Sequence, residues 1–340
     1  MSEAFALSLV NGSRWRIEAA DPSAAAVVGF WARVAGLPLV SPQSSPWPDG
    51  NVPASVAPGA RPLRLLAQTI AGDIHEHGVD PWLNVPGSQD LACPLEPRSA
   101  PRRRALSFPK RRRGLSEPAS LTEDEWSWRQ LARLSACIGQ ETQQRGGVLL
   151  HSGLAEAASA AGSGTPGVDA DANQFGFLLT GRSGVGKSTA CRRLPPPWRA
   201  LSDDMTLVAR DEAGAFWAHP FPTWSRFFGK EEEGGPDSWD VQRAVPLRAI
   251  FILEQAPLDR VEPLGRGHAL SMLAVSARQA SSHFVFGWPA DRLAAFHRER
   301  FRSLRALVNA VPAYLLHLSR EGAFWLKIAE IRALLDEHGQ

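Results

Sequence analysis

The residues best suited to chemistry are Gly181-Arg182-Ser183-Gly184-Val185-Gly186-Lys187-Ser188, which satisfy GxxxxGK[ST] in full. Phosphate recognition explains this spacing. Glycines permit dihedrals and a closeness of approach that side chains would block. Successive backbone N–H groups and the start of a following helix can then face phosphate oxygens. Lys187 supplies a point charge for the β- and γ-phosphates, and Ser188 offers a hydroxyl to Mg²⁺. Gly181, Ser183, Gly184, Val185, Gly186, Lys187, Ser188 and Thr189 are therefore the expected ATP-binding set. A glycine-rich chain can match the pattern by chance. Here an apolar strand, Phe175 to Thr180, runs into the loop and a short helix follows, which is the context the motif requires.

A second candidate group is Asp203-Asp204, 22 positions beyond Gly181 and past the intervening helix. Mg²⁺ prefers hard oxygen ligands, so one carboxylate suits the metal. The other could accept a proton from an attacking hydroxyl. The same pair also fits a Walker-B-like arrangement that serves only metal and a positioned water. The residues alone leave transfer to a hydroxyl and ATP hydrolysis equally open.

Several elements must hold these groups. Strands are expected at Val148 to His151, Leu247 to Leu253 and Val311 to Leu318, with a hairpin of Met205–Ala209 and Ala215–Ala218. Helices are expected at Glu123 to Gln144, Ala269 to Arg278, Asp291 to Asn309 and Gly322 to His338. Strands alternating with helices around a phosphate loop argue for an α/β class. The small-residue tract Ala155 to Asn173 reads as a flexible insertion. Nearer the N-terminus, residues 1–96 read as a small α+β unit. It has a hairpin about Asn11-Gly12, a helix capped by Asp21 or Ser23 and running to Val34, and a strand at Leu63 to Ala67. Residues 97–120 read as a basic linker and 121–340 as the nucleotide-binding domain.

Composition narrows the function classes. The chain has 340 residues, 44% hydrophobic and 21% charged, which excludes wholesale disorder. No apolar run reaches the roughly 18 residues needed to cross a bilayer, and Met1-Ser2-Glu3-Ala4 lacks a basic signal-peptide start. Cys93, Cys137 and Cys191 form neither a disulfide framework nor a zinc pattern. A soluble cytoplasmic protein with no membrane partner is the expectation. Of 37 basic residues only four are lysine, and eight basic residues fall between Arg98 and Arg113 with no acid among them. The net charge of +2 therefore divides into an acidic body and one arginine-rich connector. That run has only Phe108 as an interleaved aromatic, so a solvated loop is expected rather than a nucleic-acid site. Arg226, in a proline-containing loop, could clamp a phosphate or lie on the surface. A homo-oligomer is compatible with the sequence, which does not set the oligomeric state.

His151-Ser152-Gly153-Leu154, the apolar strand, GRSGVGKS and Ser202-Asp203-Asp204 together resemble the kinase domain of HPr kinase/phosphorylase. GGVLLHSGLAE (146–156), HPFPTWS (219–225), PLRAIFILEQ (246–255) and YLLHLSREGAFW (314–325) resemble more closely its divergent relatives, the SynChlorMet cassette ScmC-type proteins. The resemblance runs from about Glu123 to His338. It implies an HPr-kinase-like P-loop domain of mixed sheet and flanking helices. It also implies that Lys187 and Ser188 hold ATP phosphate and Mg²⁺, that Asp203 activates an acceptor hydroxyl, that Asp204 binds metal, and that His151 lies near the phosphates. Arg182 stands where that kinase loop usually carries an acid, and the long glycine- and asparagine-containing segment after the Asp pair has no counterpart. HPr is thus a poor expectation for the acceptor. A Ser or Thr of a small precursor peptide, or a small hydroxylated molecule, fits better. The alternative is an ATP-binding accessory module that regulates a partner without transfer.

Overall fold

Alternating burial starts at once in the computed structural model, which describes residues 4–40, 63–69, 83–84, 91–95, 123–157, 174–222, 240–282, 285 and 288–338. Strands β1 (Ala4–Ser8) and β2 (Arg14–Ala19) pair antiparallel, with Phe5 opposite Ile17 and Leu7 opposite Trp15. Gly12 takes the left-handed conformation (φ 75°) that their turn requires. Helix α1 (Pro22–Val34) starts where Asp21 accepts a 2.9 Å hydrogen bond from the Ala24 N–H, with proline at its first turn. Strands β3 (Leu39–Val40), β4 (Leu63–Thr69), β5 (Leu83–Asn84) and β6 (Leu91–Leu95) complete a mixed sheet of order β3-β1-β2-β4-β6-β5.

This first sheet shares a core with the next helix. Helix α2 (Glu123–Gln144) sets Leu131, Leu134 and Ile138 into one cluster with Phe5, Trp15 and Trp31. Phe5 and Trp31 stack at 5.0 Å, and the Trp31 indole N–H donates to the Ser135 hydroxyl at 3.3 Å. The helix stops at Gly146 (φ 85°), and the chain turns into the second sheet.

That sheet has nine strands: β7 (Val148–Leu150), β8 (Ser152–Ala157), β9 (Phe175–Thr180), β10 (Trp198–Ser202), β11 (Thr206–Arg210), β12 (Phe216–Pro220), β13 (Val245–Gln255), β14 (Arg260–Pro263) and β15 (Ala313–Leu318). Strand β13 is the hinge of the arrangement. Its first two residues pair antiparallel with β12, while the remainder runs parallel to β9 on one side and β15 on the other. Helix α3 (Lys187–Arg193) connects β9 to β10, α4 (Arg266–Ser281) and α5 (Ala290–Ala310) precede β15, and α6 (Phe324–His338) comes after it. The fold is thus mixed α/β, with six helices among the described residues.

Both faces of the central strands are covered, which accounts for the uninterrupted apolar run Ala249-Ile250-Phe251-Ile252-Leu253. Leu178, Ile250 and Ile252 face α4 and α5, whereas Phe177, Leu179, Phe251 and Leu253 face α3 and α6. Burial of each such side chain stabilises the fold by roughly 1.5–3 kcal/mol. Ala155–Ala157, expected to open the insertion, instead complete β8, where they pair with β9. Periodicity is lost in that small-residue stretch, but both of its faces are buried. The rest of the insertion (158–173), the loop containing Arg226 and the Arg98–Arg113 run lie outside the described residues. No helix among the described residues is long and apolar enough to cross a membrane.

Candidate functional site

Strand β9 is fully buried and delivers the chain to Gly181 at the C-terminal end of the parallel strands. A ligand crevice in open α/β sheets forms at this end. Gly181 must be small, because a Cβ there would lie 3.1 Å from the Leu253 carbonyl. Gly184 (φ 82°) and Gly186 (φ 111°) are left-handed, with open space where a side chain would project. Backbone N–H groups can therefore be approached from outside without hindrance. Ser183 and Thr189 are exposed, while Val185 and Ser188 are half-buried. The Gln255 amide, at the end of β13, donates to the carbonyls of Gly184 and Val185 at 3.4 and 3.3 Å and pins the loop to the sheet.

Lys187 opens α3 and is only 6% exposed. Its ammonium donates to the carbonyls of Gly181 (3.2 Å) and Arg182 (3.3 Å), the positions a phosphate oxygen would compete for. Burial holds the ammonium below the ordinary lysine value, against the opposing pull of Asp204, Cys191 and Asp203. The phosphate-loop lysine and the aspartate pair thus share one electrostatic neighbourhood.

Two chain crossings build the other side of the site. Between β7 and β8 the chain passes from the antiparallel half of the sheet to the half containing β9, and His151 stands at that step. Between β10 and β11 it makes the reverse passage, with Asp203-Asp204-Met205 at the step. The two steps are neighbours, since Ser202 pairs with Leu154 and Thr206 with Leu150. His151 Nε2 and Asp204 Oδ1 meet at 2.8 Å. Ser276 of α4 fixes the histidine backbone. Its hydroxyl donates to the His151 carbonyl at 3.0 Å, and its own carbonyl accepts from the His151 N–H at 3.4 Å. The Thr206 hydroxyl donates to the Ser152 carbonyl (3.0 Å), which leaves the Ser202 hydroxyl as donor in the 3.2 Å bond between them. Asp203 is fully buried beneath this corner, and Asp204 is half-buried.

The sequence-expected residues Lys187, Ser188, His151, Asp203 and Asp204 are therefore brought to one end of the β8–β9 hairpin, with His151 adjoining the pair Ser152–Thr180. The remainder of the insertion leaves from the opposite end of that hairpin. Three participants escape sequence reasoning. Gln255 holds the loop, Ser276 holds His151, and Gly153 admits α3, since a Cβ there would sit 2.6 Å from the Cys191 sulfur. A polar residue closing an apolar strand beside the phosphate-loop strand is the available signal for Gln255. Cys191 itself is a buried thiol pushed far above its ordinary pKa by burial, with Asp203 adding to the effect. It packs and does not react. The donor set fits Mg²⁺ and a nucleotide: a half-buried serine hydroxyl and carboxylate for the metal, and a lysine with open glycine backbone for phosphates.

No curated protein matches the chain in sequence. A family model described as SynChlorMet cassette protein ScmC matches residues 117–333, a span that contains the loop, both chain crossings and every residue of the site. The protein belongs to the ScmC family.

Proposed function

We propose that the protein is an ATP- and Mg²⁺-dependent phosphotransferase with an HPr-kinase-like phosphate-loop fold, acting on a Ser or Thr hydroxyl of a small precursor peptide or on a small hydroxylated molecule. One observation carries this reading: Lys187, buried at the start of α3, and the Asp203-Asp204 step, joined to His151 by a 2.8 Å contact, stand at the same end of the β8–β9 hairpin although a helix and a strand separate them in the chain. A phosphate loop alone does not choose a reaction, but a loop lysine beside two carboxylates combines phosphate binding with a metal ligand and a base. The loop N–H groups and Lys187 hold the phosphates. Ser188 and Asp204 hold Mg²⁺, which when bound neutralises charge on the transferred group. Asp203 takes the proton of the acceptor hydroxyl as its oxygen bonds to the γ-phosphorus. The bond from that phosphorus to the bridging oxygen breaks, and ADP leaves. His151 orients Asp204 through their 2.8 Å contact.

A second reading, an ATP-binding accessory module without transfer, draws support from the burial of Asp203, which is fully withdrawn from solvent. Mass spectrometry of candidate peptides incubated with the protein and Mg-ATP separates the two. Addition of one phosphate is expected, and its absence across acceptors favours the accessory module. Asp203→Asn should keep nucleotide binding and slow transfer by about 10²–10⁴-fold. Unchanged transfer would remove Asp203 from the role of base.

A further inference from the structure

Helix α5 buries the stripe Phe296, Arg300, Ser303, Leu304, Leu307 and Val308. The stripe includes an arginine at a position where its spacing calls for an apolar residue. Arg300 is 9% exposed, and among the described residues no carboxylate lies within ion-pair distance of it. Buried charges are ordinarily paired. Two of the five guanidinium N–H groups meet acceptors among the described residues. Nη1 donates to the Ser281 hydroxyl at 2.9 Å, and Nη2 donates to His297 Nδ1 at 2.7 Å. The second bond requires a neutral His297, whose pKa is lowered by burial and by Arg300. A second arginine, Arg278, stands close enough to disfavour the Arg300 charge further.

Beside the guanidinium is a cavity between α2, α4 and α5, lined by Gln140, Gln143, Leu149, Ser281, Phe296 and Arg300. Its free space is that of a water-sized atom, so one oxygen of a larger anion fits within while the rest remains outside. The two helices α4 and α5 that carry Ser281 and Arg300 are positive in sum. Residues 266–310 carry seven arginines against Asp291 and Glu299, a net charge of +5. The cationic character expected only of the Arg98–Arg113 connector is therefore also concentrated on this helical hairpin, where helix spacing hides it from a scan for charge runs.

We propose that this cavity is a binding site for an oxyanion, a phosphate or a carboxylate, held by the Arg300 fork with Arg278 as outer cation. Such a group supplies the negative charge that no described residue brings to Arg300, and planar guanidinium forks match both anions. The site is separate from the phosphate loop, so its test uses full-length Lys187→Ala protein to remove the loop's share of anion binding. In chloride-free buffer, inorganic phosphate and sodium acetate are titrated while the melting temperature is followed. At least one of them should raise it saturably by about 2 °C or more. A larger response to phosphate identifies a phosphate ligand, and a larger response to acetate identifies a carboxylate. Adding Arg300→Met should abolish the rise. Adding Arg300→Lys keeps the charge but loses the fork, and should weaken apparent affinity about tenfold. The absence of any saturable rise, or a rise that survives Arg300→Met or is undiminished by Arg300→Lys, overturns the assignment.

Discussion

Lys187 and Arg300 are the two cations most fully withdrawn from water among the described residues, and their surroundings are opposite. Two aspartates act on Lys187 from within the fold, and its ammonium is further held by backbone carbonyls. Arg300 has a hydroxyl, an imidazole and an aromatic face, with another arginine nearby. Removing Lys187 takes one positive charge from beside two carboxylates. Arg300, with no carboxylate beside it among the described residues, is the place proposed above for a charge brought from outside. The contrast predicts stability changes of opposite sign. Breaking a buried charge set by removing one partner is strongly destabilising, whereas replacing an unpaired buried charge with an apolar group of similar size relieves desolvation.

The largest expected effect is on the Lys187 side. Lys187→Met should weaken ATP binding about 100-fold, from loss of a charge-assisted phosphate contact, and should lower stability by about 2 kcal/mol. Arg300→Met should leave ATP affinity within about twofold and, in anion-free buffer, raise stability by about 1 kcal/mol. Nucleotide titrations and urea unfolding of both variants measure this. If both substitutions shift stability in the same direction, the contrast between the two cations fails.

His219 extends the comparison to a buried base that stays neutral. Burial lowers its pKa to about 4, its Nδ1–H donates to the Val241 carbonyl at 2.9 Å, and its Nε2 accepts from the Val10 N–H at 3.4 Å. The unfolded chain takes up this proton near pH 6.5, well before the folded one. The contribution is therefore complete above about pH 6.5 and is lost as the pH falls toward 4, by up to about 3 kcal/mol. Urea midpoints of wild type should drop more steeply over that range than those of His219→Gln. Parallel pH profiles would rule out a neutral buried imidazole.

The smallest effect is expected at Gln255. Its contacts to the loop carbonyls are long, so Gln255→Ala should weaken ATP binding only about threefold by loosening the loop. A loss as large as that of Lys187→Met would assign Gln255 a direct role in holding the nucleotide.

The phosphate loop is legible in the sequence because it is contiguous, and backbone geometry dictates its glycines one by one. The long apolar strand β13 and the amphipathic α5 and α6 are legible for the same local reason. The convergence of His151 with Asp204 is not, because it depends on two chain crossings that sequence spacing does not encode. Resemblance puts His151 near the phosphates, but nothing local names Ser276 as the residue that fixes it. Arg300 is hidden differently. The apolar residues of α5 at helical spacing, Phe296, Leu304 and Leu307, bracket a charged residue that a hydrophobic pattern passes over, and a basic residue on a helix is assigned to water by default. Strand β14 escapes because Arg260-Val261-Glu262-Pro263 is a short edge piece whose pairing with β15 comes from tertiary contact alone.

The β8–β9 hairpin separates two kinds of constraint along its length. His151 and Gly181 flank one end, while the chain departs at Ala157 and returns at Phe175 at the other, about 20 Å away at roughly 3.3 Å per residue. Material added between positions 158 and 173 enters and leaves the fold that far from the phosphate loop. A fluorescent reporter or affinity handle inserted between those positions would therefore join the fold at the end of the hairpin remote from the phosphate loop.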